Sequence, residues 1–451
     1  MDEKRLSRRD FLKFSAGATA AAVLAACAPP APAAKPEEKA PVEATPVSEV
    51  TTIHHLSIWS NETFAGTIAL FEEMNPDLKV ENEQLSWNAF FEQVQVRLAA
   101  GSPEPDTLAV DVPLTAPYGY RGWLLPLDDV FTEKEKADWL ESSLQAGTYE
   151  GHLISAPVST STQLLFYNRN AFEKAGIEPP GEDERWTWEK LAEVAKELTF
   201  DEDGDGTPEM WGFIWEQVIR IYQLQPMPMS LGGVPIGPDG LTVRGYIDAD
   251  PWIEAFTYYW KAFNEWKFAP QGDIGWPSDT LFRPGKLAME LAGPWNIKQN
   301  VDGDLDFEWG VSRHPYFENG VVVTPTGSWH IGVNANTKKI DAATRWVRFF
   351  STVPGAEKWW RTGSHDFPAQ ESLLELIKTD PQFEEWPWRA ERIAADEAMV
   401  NPQPRPVTPG YLEYEEILGD TFSDIRNGAD VKEALNTAVE RIEAEMEKYR
   451  K

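Results

Sequence analysis

Between residues 56 and 111, short apolar runs alternate with amphipathic helical stripes, and this alternation restricts the fold more than any other feature of the chain. Leu56-Ser57-Ile58-Trp59 reads as a strand, after which Phe64, Ile68, Phe71 and Met74 recur at helical spacing until Asn75-Pro76-Asp77 ends the helix. A second strand runs from Leu78 to Leu85. A second helix carries Phe91, Val94 and Leu98 and stops at Gly101, and Thr107 to Val110 forms a third apolar strand closing on Asp111. This βαβαβ rhythm predicts an α/β fold with a parallel, doubly wound sheet and helices on both faces. Residues 163–167 and 287–291 read as further buried strands. Ala343, Trp346, Val347 and Phe350 form one late helical stripe, and Val431, Leu435, Ala438, Ile442 and Met446 form another. With 451 residues and 42% hydrophobic content, the chain can build two or three domain-sized cores.

The first fifty residues follow a different logic. Ser7-Arg8-Arg9-Asp10-Phe11-Leu12-Lys13 is a twin-arginine export pattern, with Arg8 and Arg9 as its signal, and the apolar run from Phe14 to Ala26 is too short for a permanent membrane span. The run ends in Leu24-Ala25-Ala26-Cys27, which resembles the bacterial lipobox, whose cysteine receives diacylglycerol and becomes the first mature residue. Residues 1–27 are therefore expected to be a signal peptide ending at the lipidation site Cys27. Because Cys27 is the only cysteine, neither a disulfide nor a Cys metal site is open to the mature chain. Residues 28–50, with six prolines and no apolar periodicity, are expected to be a disordered tether. The formal charge of −32, spread along the whole mature sequence, disfavours nucleic acid as a partner.

A series of motifs runs from Phe71-Glu72-Glu73-Met74-Asn75-Pro76-Asp77 through Leu98-Ala99-Ala100-Gly101-Ser102-Pro103-Glu104-Pro105-Asp106 to Gly122-Trp123-Leu124-Leu125-Pro126-Leu127-Asp128-Asp129. It continues with Phe166-Tyr167-Asn168-Arg169-Asn170-Ala171-Phe172-Glu173-Lys174-Ala175-Gly176, Trp186-Thr187-Trp188-Glu189, Gly285-Lys286-Leu287-Ala288-Met289 and Gly293-Pro294-Trp295. In this order and spacing the chain resembles, over roughly residues 53 to 375, the family 1 extracellular solute-binding proteins, the sugar-type receptors related to maltose-binding protein. The resemblance implies two doubly wound α/β lobes of the periplasmic binding protein type II kind, joined by two or three hinge crossings with a ligand cleft between them. By analogy, lobe I holds residues 51–158 and 282–330, and lobe II holds 159–281 and 331–451. Past residue 375 the resemblance thins, and Trp386-Pro387-Trp388 has no assigned place. The implied function is extracytoplasmic capture of a mono- or oligosaccharide by hinge closure and its delivery to the permease of an ABC importer. No cofactor is required for that role.

Ligands of open α/β sheets sit beyond the carboxyl ends of the strands, which selects Trp59, Ser60, Asn61, Glu62, Trp87 and Asp111. Sugar hydroxyls want carboxylate or amide partners and sugar C–H faces stack on aromatic rings, so this set suits a carbohydrate. Most of the twenty tryptophans are expected to be core. Trp59, Trp87, Trp295 and Trp329 follow strand ends or loop turns and are candidates for the cleft, with Ser328 beside the last. Asp111 would be costly to bury unpaired, so it either faces the cleft or caps the next helix. Trp215 and Glu216, after the apolar run from Trp211 to Ile214, are expected to close the cleft from the second lobe. His365, in a Gly-containing loop with Arg361, is not assigned to the ligand.

Asp201, Asp203 and Asp205 stand at positions one, three and five of an EF-hand-like loop with Gly206 at six, Thr207 at seven and Glu209 at nine, a candidate structural Ca²⁺ site. Its twelfth position is Gly212, so the closing bidentate Glu is missing, and an empty acidic turn is the alternative. The rival functional classes are a secreted glycoside hydrolase and a receptor for a non-sugar solute. A hydrolase needs two carboxylates about 5–10 Å apart, one with a raised pKa. The sequence singles out no such pair and no catalytic motif, so no enzyme activity is expected. Cys27→Ala is expected to move the protein from the membrane to the soluble fraction. Retention on salt-washed membranes would contradict the anchor.

Overall fold

The computed structural model describes residues 50–272, 274–327 and 329–450. Arg8, Arg9, Cys27, residues 28–49 of the tether and Ser328 lie outside the described residues. The described residues belong to one compact unit. The opening alternation appears as read: β1 (Thr51–Ser57), α1 (Asn61–Met74), β2 (Leu78–Gln84), α2 (Trp87–Ala99) and β3 (Thr107–Asp111) follow in turn. β1 pairs in parallel with both β2 and β3. The chain continues through β4 (Ala156–Pro157), β5 (Leu164–Asn168), α3 (Trp188–Leu198), β6 (Trp211–Trp215) and α4 (Asp250–Asn264). There follow β7 (Leu287–Ala292), α5 (Trp295–Asp302), β8 (Trp309–Ser312) and β9 (Trp329–Val333). The end is helical: α6 (Ile340–Phe350), α7 (Val353–Thr362), α8 (Tyr411–Arg426) and α9 (Val431–Met446).

Two sheets result. The first has the order β2-β1-β3-β9-β4 and the second β8-β5-β7-β6, so each sheet is assembled from separated stretches of chain. Helices cover both faces of the first sheet. On one side Ile53 packs with Phe64 and Phe71 of α1, Trp346 and Phe350 of α6 and Trp359 of α7; on the other Leu56, Leu108 and Val110 meet Phe90, Val94 and Leu98 of α2. Burying apolar stripes on two faces is what fixes the doubly wound arrangement. In the second sheet β6 lies so close to α3 that a Cβ at Gly212 would sit 1.9 Å from the Ala195 carbonyl oxygen, which only glycine avoids.

The lobe boundaries differ from the sequence reading. β7 and β8 belong to the second sheet, so residues 287–312 are not part of lobe I, and the return crossing lies between Ser312 and Trp329. β9, α6 and α7 pack with the first sheet, so the stretch just after residue 331 is not part of lobe II. An apolar strand such as Leu287–Ala292 is equally at home in either sheet, because its composition does not name its pairing partner. The chain passes between sheets at residues 158–163, at 313–328 and again after α7, and these passages touch. Thr160 Oγ1 and Thr326 Oγ1 are 3.1 Å apart, and the Thr160 N–H donates to the Phe367 carbonyl at 2.7 Å. The unassigned Trp386-Pro387-Trp388 segment packs: Trp386 meets Trp309 at 4.6 Å between centroids, and Trp388 stacks on His365 at 5.2 Å.

Trp215 is a core residue and not a cleft residue. It is fully buried among Trp188, Phe213, Tyr259 and Phe263, with centroids 4.8 to 6.3 Å away. As the last residue of β6 it points into the sheet face covered by α3 and α4, while Glu216, one residue on, points the other way. Trp215→Ala is expected to cost about 3–5 kcal/mol of stability, read by urea denaturation. An unchanged midpoint with weakened ligand binding would return Trp215 to the cleft.

Candidate ligand cleft

The carboxyl ends of the two sheets converge on a cavity of ≈ 370 Å³. Trp59 follows β1, Asp111 ends β3, and Trp329 begins the antiparallel β9 directly opposite Asp111. From the second sheet Glu216 follows β6 and Trp295 follows β7. The strand-end rule thus places Trp59, Trp87, Asp111, Glu216 and Trp295 on one surface, and Trp329 joins them from the amino end of an antiparallel strand. The indoles interlock edge to face: Trp59 and Trp329 at 5.1 Å, Trp87 and Trp329 at 5.8 Å, Trp87 and Trp276 at 6.3 Å. Trp276 stands at the mouth, 41% exposed, and is one of the residues the sequence reading missed.

Asp111 neither meets the ligand space alone nor caps a helix. Arg405 grips both its oxygens, Nη1 donating to Oδ2 at 3.1 Å and Nη2 to Oδ1, and Arg220 Nη2 donates to Oδ2 at 3.4 Å. Both arginines are tied to the second lobe. Arg220 follows β6 and donates to Glu415 of α8 at 2.8 Å; Arg405 lies over the Tyr222 ring at 5.2 Å, and the neighbouring Pro404 carbonyl accepts from Gln225 at 3.0 Å. Asp111 and Arg405 are both buried, so a planar, bidentate ion pair spans the cleft floor.

The Gly293-Pro294-Trp295 motif has a geometric reason. A Cβ at Gly293 would lie 2.1 Å from the Trp295 ring, so glycine lets the indole fold back over its own backbone. Trp295 Nε1 then donates to Glu216 Oε1 at 3.0 Å, joined by Asn296 Nδ2 at 2.7 Å. Glu216 Oε2 is buried without a hydrogen bond. Burial pushes the Glu216 pKa up, against the opposing pull of Asn296, Trp295, the Gly293 N–H and Ser278. Behind it, Glu290 of β7 is fully buried and its pKa is held well above the ordinary range by burial and by the charge of Glu216. Ser278 Oγ lies 3.2 Å from Glu216 Oε1 and 2.8 Å from Glu290 Oε2, but a hydroxyl owns one proton and cannot serve both carboxylates as donor. Asp366, also on the cavity wall, is pushed up to about 6 by burial.

Three further predicted residues do not line the cavity. Ser60 is the N-cap of α1, its hydroxyl accepting from the Thr63 N–H at 3.1 Å, which satisfies a helix donor rather than a ligand. Asn61 opens α1 on an exposed face with its side chain held by Asn82 Nδ2 at 3.1 Å, and Glu62 is exposed beside it. Among the residues the reading missed, Arg220 follows a strand and was open to the same strand-end rule. Arg405 sits in Asn401-Pro402-Gln403-Pro404-Arg405-Pro406, where only the proline density hints at a rigid, purposeful loop.

The acidic loop lies apart from the cleft. Asp201 accepts from the Gly204 and Gly206 N–H groups, Asp203 from Asp205, Asp205 from Thr207 and Glu209 from Glu202. One oxygen each of Asp201, Asp203 and Glu209 falls within 4.8 Å of the others, all exposed. A closing Glu at position twelve is sterically barred, since that position is Gly212 packed on α3.

Residues 59–357 match the family model described as bacterial extracellular solute-binding protein, and residues 5–25 match the twin-arginine translocation pathway signal sequence. The chain is 26% identical over 337 residues to the maltotriose-binding protein of Pyrococcus abyssi, covering 72% of this chain and 69% of that one. It is 22% identical over 335 residues to the sn-glycerol-3-phosphate-binding periplasmic protein of Escherichia coli, covering 70% and 74%. The ABC substrate-binding protein of Listeria monocytogenes in complex with cycloalternan superposes with a TM-score of 0.77 over 88% of this chain and 99% of that one, at 23% identity, a likeness of fold.

Asp111→Asn leaves the Arg405 guanidinium buried without its counter-charge. A loss of about 3–5 kcal/mol is expected, read as a fall in melting temperature. An unaltered melting curve would show that the pair does not hold the two lobes.

Proposed function

The chain belongs to the bacterial extracellular solute-binding protein family, and on that footing we propose that it captures a carbohydrate outside the cytoplasm, held to the membrane by a lipid on Cys27, and passes it to an ABC permease. The observation that carries the carbohydrate reading is the cavity wall itself: interlocked indoles from both lobes, with a carboxylate, Glu216, offering a free buried oxygen between them. Aromatic faces for sugar C–H groups and acceptors for sugar hydroxyls are the two things a pyranose asks of a site. Glu290, the partner of Glu216, does not line the cavity, so of that pair the ligand meets Glu216 alone. Arg220, Arg283 and Arg405 each already hold a carboxylate, which weighs against an anionic ligand such as a phosphate ester.

Thermal-shift screening of a carbohydrate panel against the purified protein should give at least one sugar that raises the melting temperature, because a ligand that binds only the folded state stabilises it by mass action. Trp87→Ala should then weaken that sugar by about tenfold or more in calorimetry while sparing the melting temperature, since a half-buried cleft indole is not a core residue. No shift from any sugar, or unchanged affinity in the variant, would sink the reading.

A further inference from the structure

Seven charged side chains line the cavity, and they do not balance. Arg405 is committed to Asp111, Arg283 to Asp279 and Arg220 to Glu415, so each guanidinium is neutralised by its own carboxylate. Glu216 and Asp366 remain, and neither has an Arg or Lys partner among the described residues. Behind Glu216, Glu290 has no ion pair, and burial together with the charge of Glu216 holds it in its neutral, protonated form, so it supplies no counter-charge to Glu216 and adds none of its own. The surplus on the cavity wall is therefore negative and lies on Glu216 and Asp366; Glu216 is 4% exposed and its Oε2 has no hydrogen bond. Trp59, Trp276, Trp295 and Trp329 line the same cavity, and two further lining rings, Trp87 and Tyr222, already hold Arg220 and Arg405 over them at 5.1 and 5.2 Å. Indole faces attract cations, most strongly where water is excluded.

A neutral hydroxyl could donate to Glu216 Oε2, but it would leave the charge uncompensated in a low-dielectric pocket. An ammonium group does both, donating a charge-assisted hydrogen bond and supplying the missing counter-charge. We propose that the ligand is an amino sugar, as a monomer or short oligomer, whose protonated amine is received by Glu216 and Asp366 inside the tryptophan wall. The inference rests on the carbohydrate reading of this cleft and narrows it from neutral sugars to cationic ones.

The test is calorimetric titration of the purified protein with matched sets: glucosamine, galactosamine and mannosamine with their short oligomers, each against its N-acetylated and its hydroxyl counterpart. At least one free amine should bind about tenfold or more tightly than both counterparts, the fold-change expected for a charge-assisted hydrogen bond. Glu216→Gln should bring the amine and its counterparts to within about twofold of one another. Should that variant not fold, Asp366→Asn, which leaves the Trp295–Glu216 contact intact, should shrink the preference in the same way. Acetylated or hydroxyl sugars binding as tightly as the amine would overturn the amine proposal while leaving the sugar receptor standing. Failure of every sugar, charged or neutral, would overturn both. An amine preference that survives in each folded variant would overturn the assignment to these carboxylates.

Discussion

The ion pair between Asp111 and Arg405 is the contact on which the geometry of the cleft depends. Asp111 ends the central parallel strand of the first sheet, and Arg405 is held by Tyr222 and Gln225 in the second lobe. Removing two charges from water costs several kcal/mol per ion before their attraction returns any of it, so such a pair adds little net stability. What it adds is position. A bidentate fork permits one orientation of guanidinium against carboxylate, and a slip of even one residue in β3 would leave both groups buried and alone. The Arg220 contact with Asp111 and Glu415 extends the same constraint to α8, so the floor of the cleft is one connected set of charges from three distant stretches of chain.

On the other wall the constraint is steric. Gly293 has no Cβ, so the Trp295 ring can lie against the backbone and aim Nε1 at Glu216. Asn296 adds a second donor to the same oxygen, which holds the carboxylate rigid and leaves Oε2 as its unspent acceptor. The short motif therefore specifies the direction of a carboxylate that lies 77 residues or more earlier in sequence, through one missing methyl group.

How much of this was legible depended on whether a feature is local. The helix of Phe64, Ile68 and Phe71 ends at Asn75-Pro76-Asp77 as read, and Thr107–Asp111 is a strand as read, because periodicity and breakers act over a few residues. Met74, placed in the same stripe, is 56% exposed, since the last turn of α1 has outrun the sheet beneath it. Sheet membership was not legible: Leu287–Ala292 has the composition of a buried strand in either lobe, and only its pairing with β5 and β6 assigns it. In the cleft, the strand-end rule found Trp59, Asp111 and Glu216 but could not distinguish Trp215 from Glu216, where one residue of register separates core from cavity, while Trp329, expected after a strand end or loop turn, begins its strand instead. Ser60 failed for a different reason: a hydroxyl after a strand is also a hydroxyl before a helix, and the cap claimed it. Arg405 was out of reach because its partner is 294 residues away in sequence.

The positions of these groups also say how ligand and closure are linked. A ligand moves a two-state equilibrium only by the difference in its affinity for the two states. Trp59 and Trp87 belong to one lobe and Glu216, Trp276 and Trp295 to the other, so a ligand can touch both sets only when the lobes approach. Ser161 and Asp366 line the same cavity from the passages between lobes, and Asp366 adjoins Phe367, whose carbonyl holds the Thr160 N–H of the first passage. Asp366 therefore stands where the first passage and the one after α7 meet. Since the Asp111–Arg405 pair forms between the same two lobes, ligand contacts and the buried ion pair favour one arrangement, and each lowers the cost of forming the other.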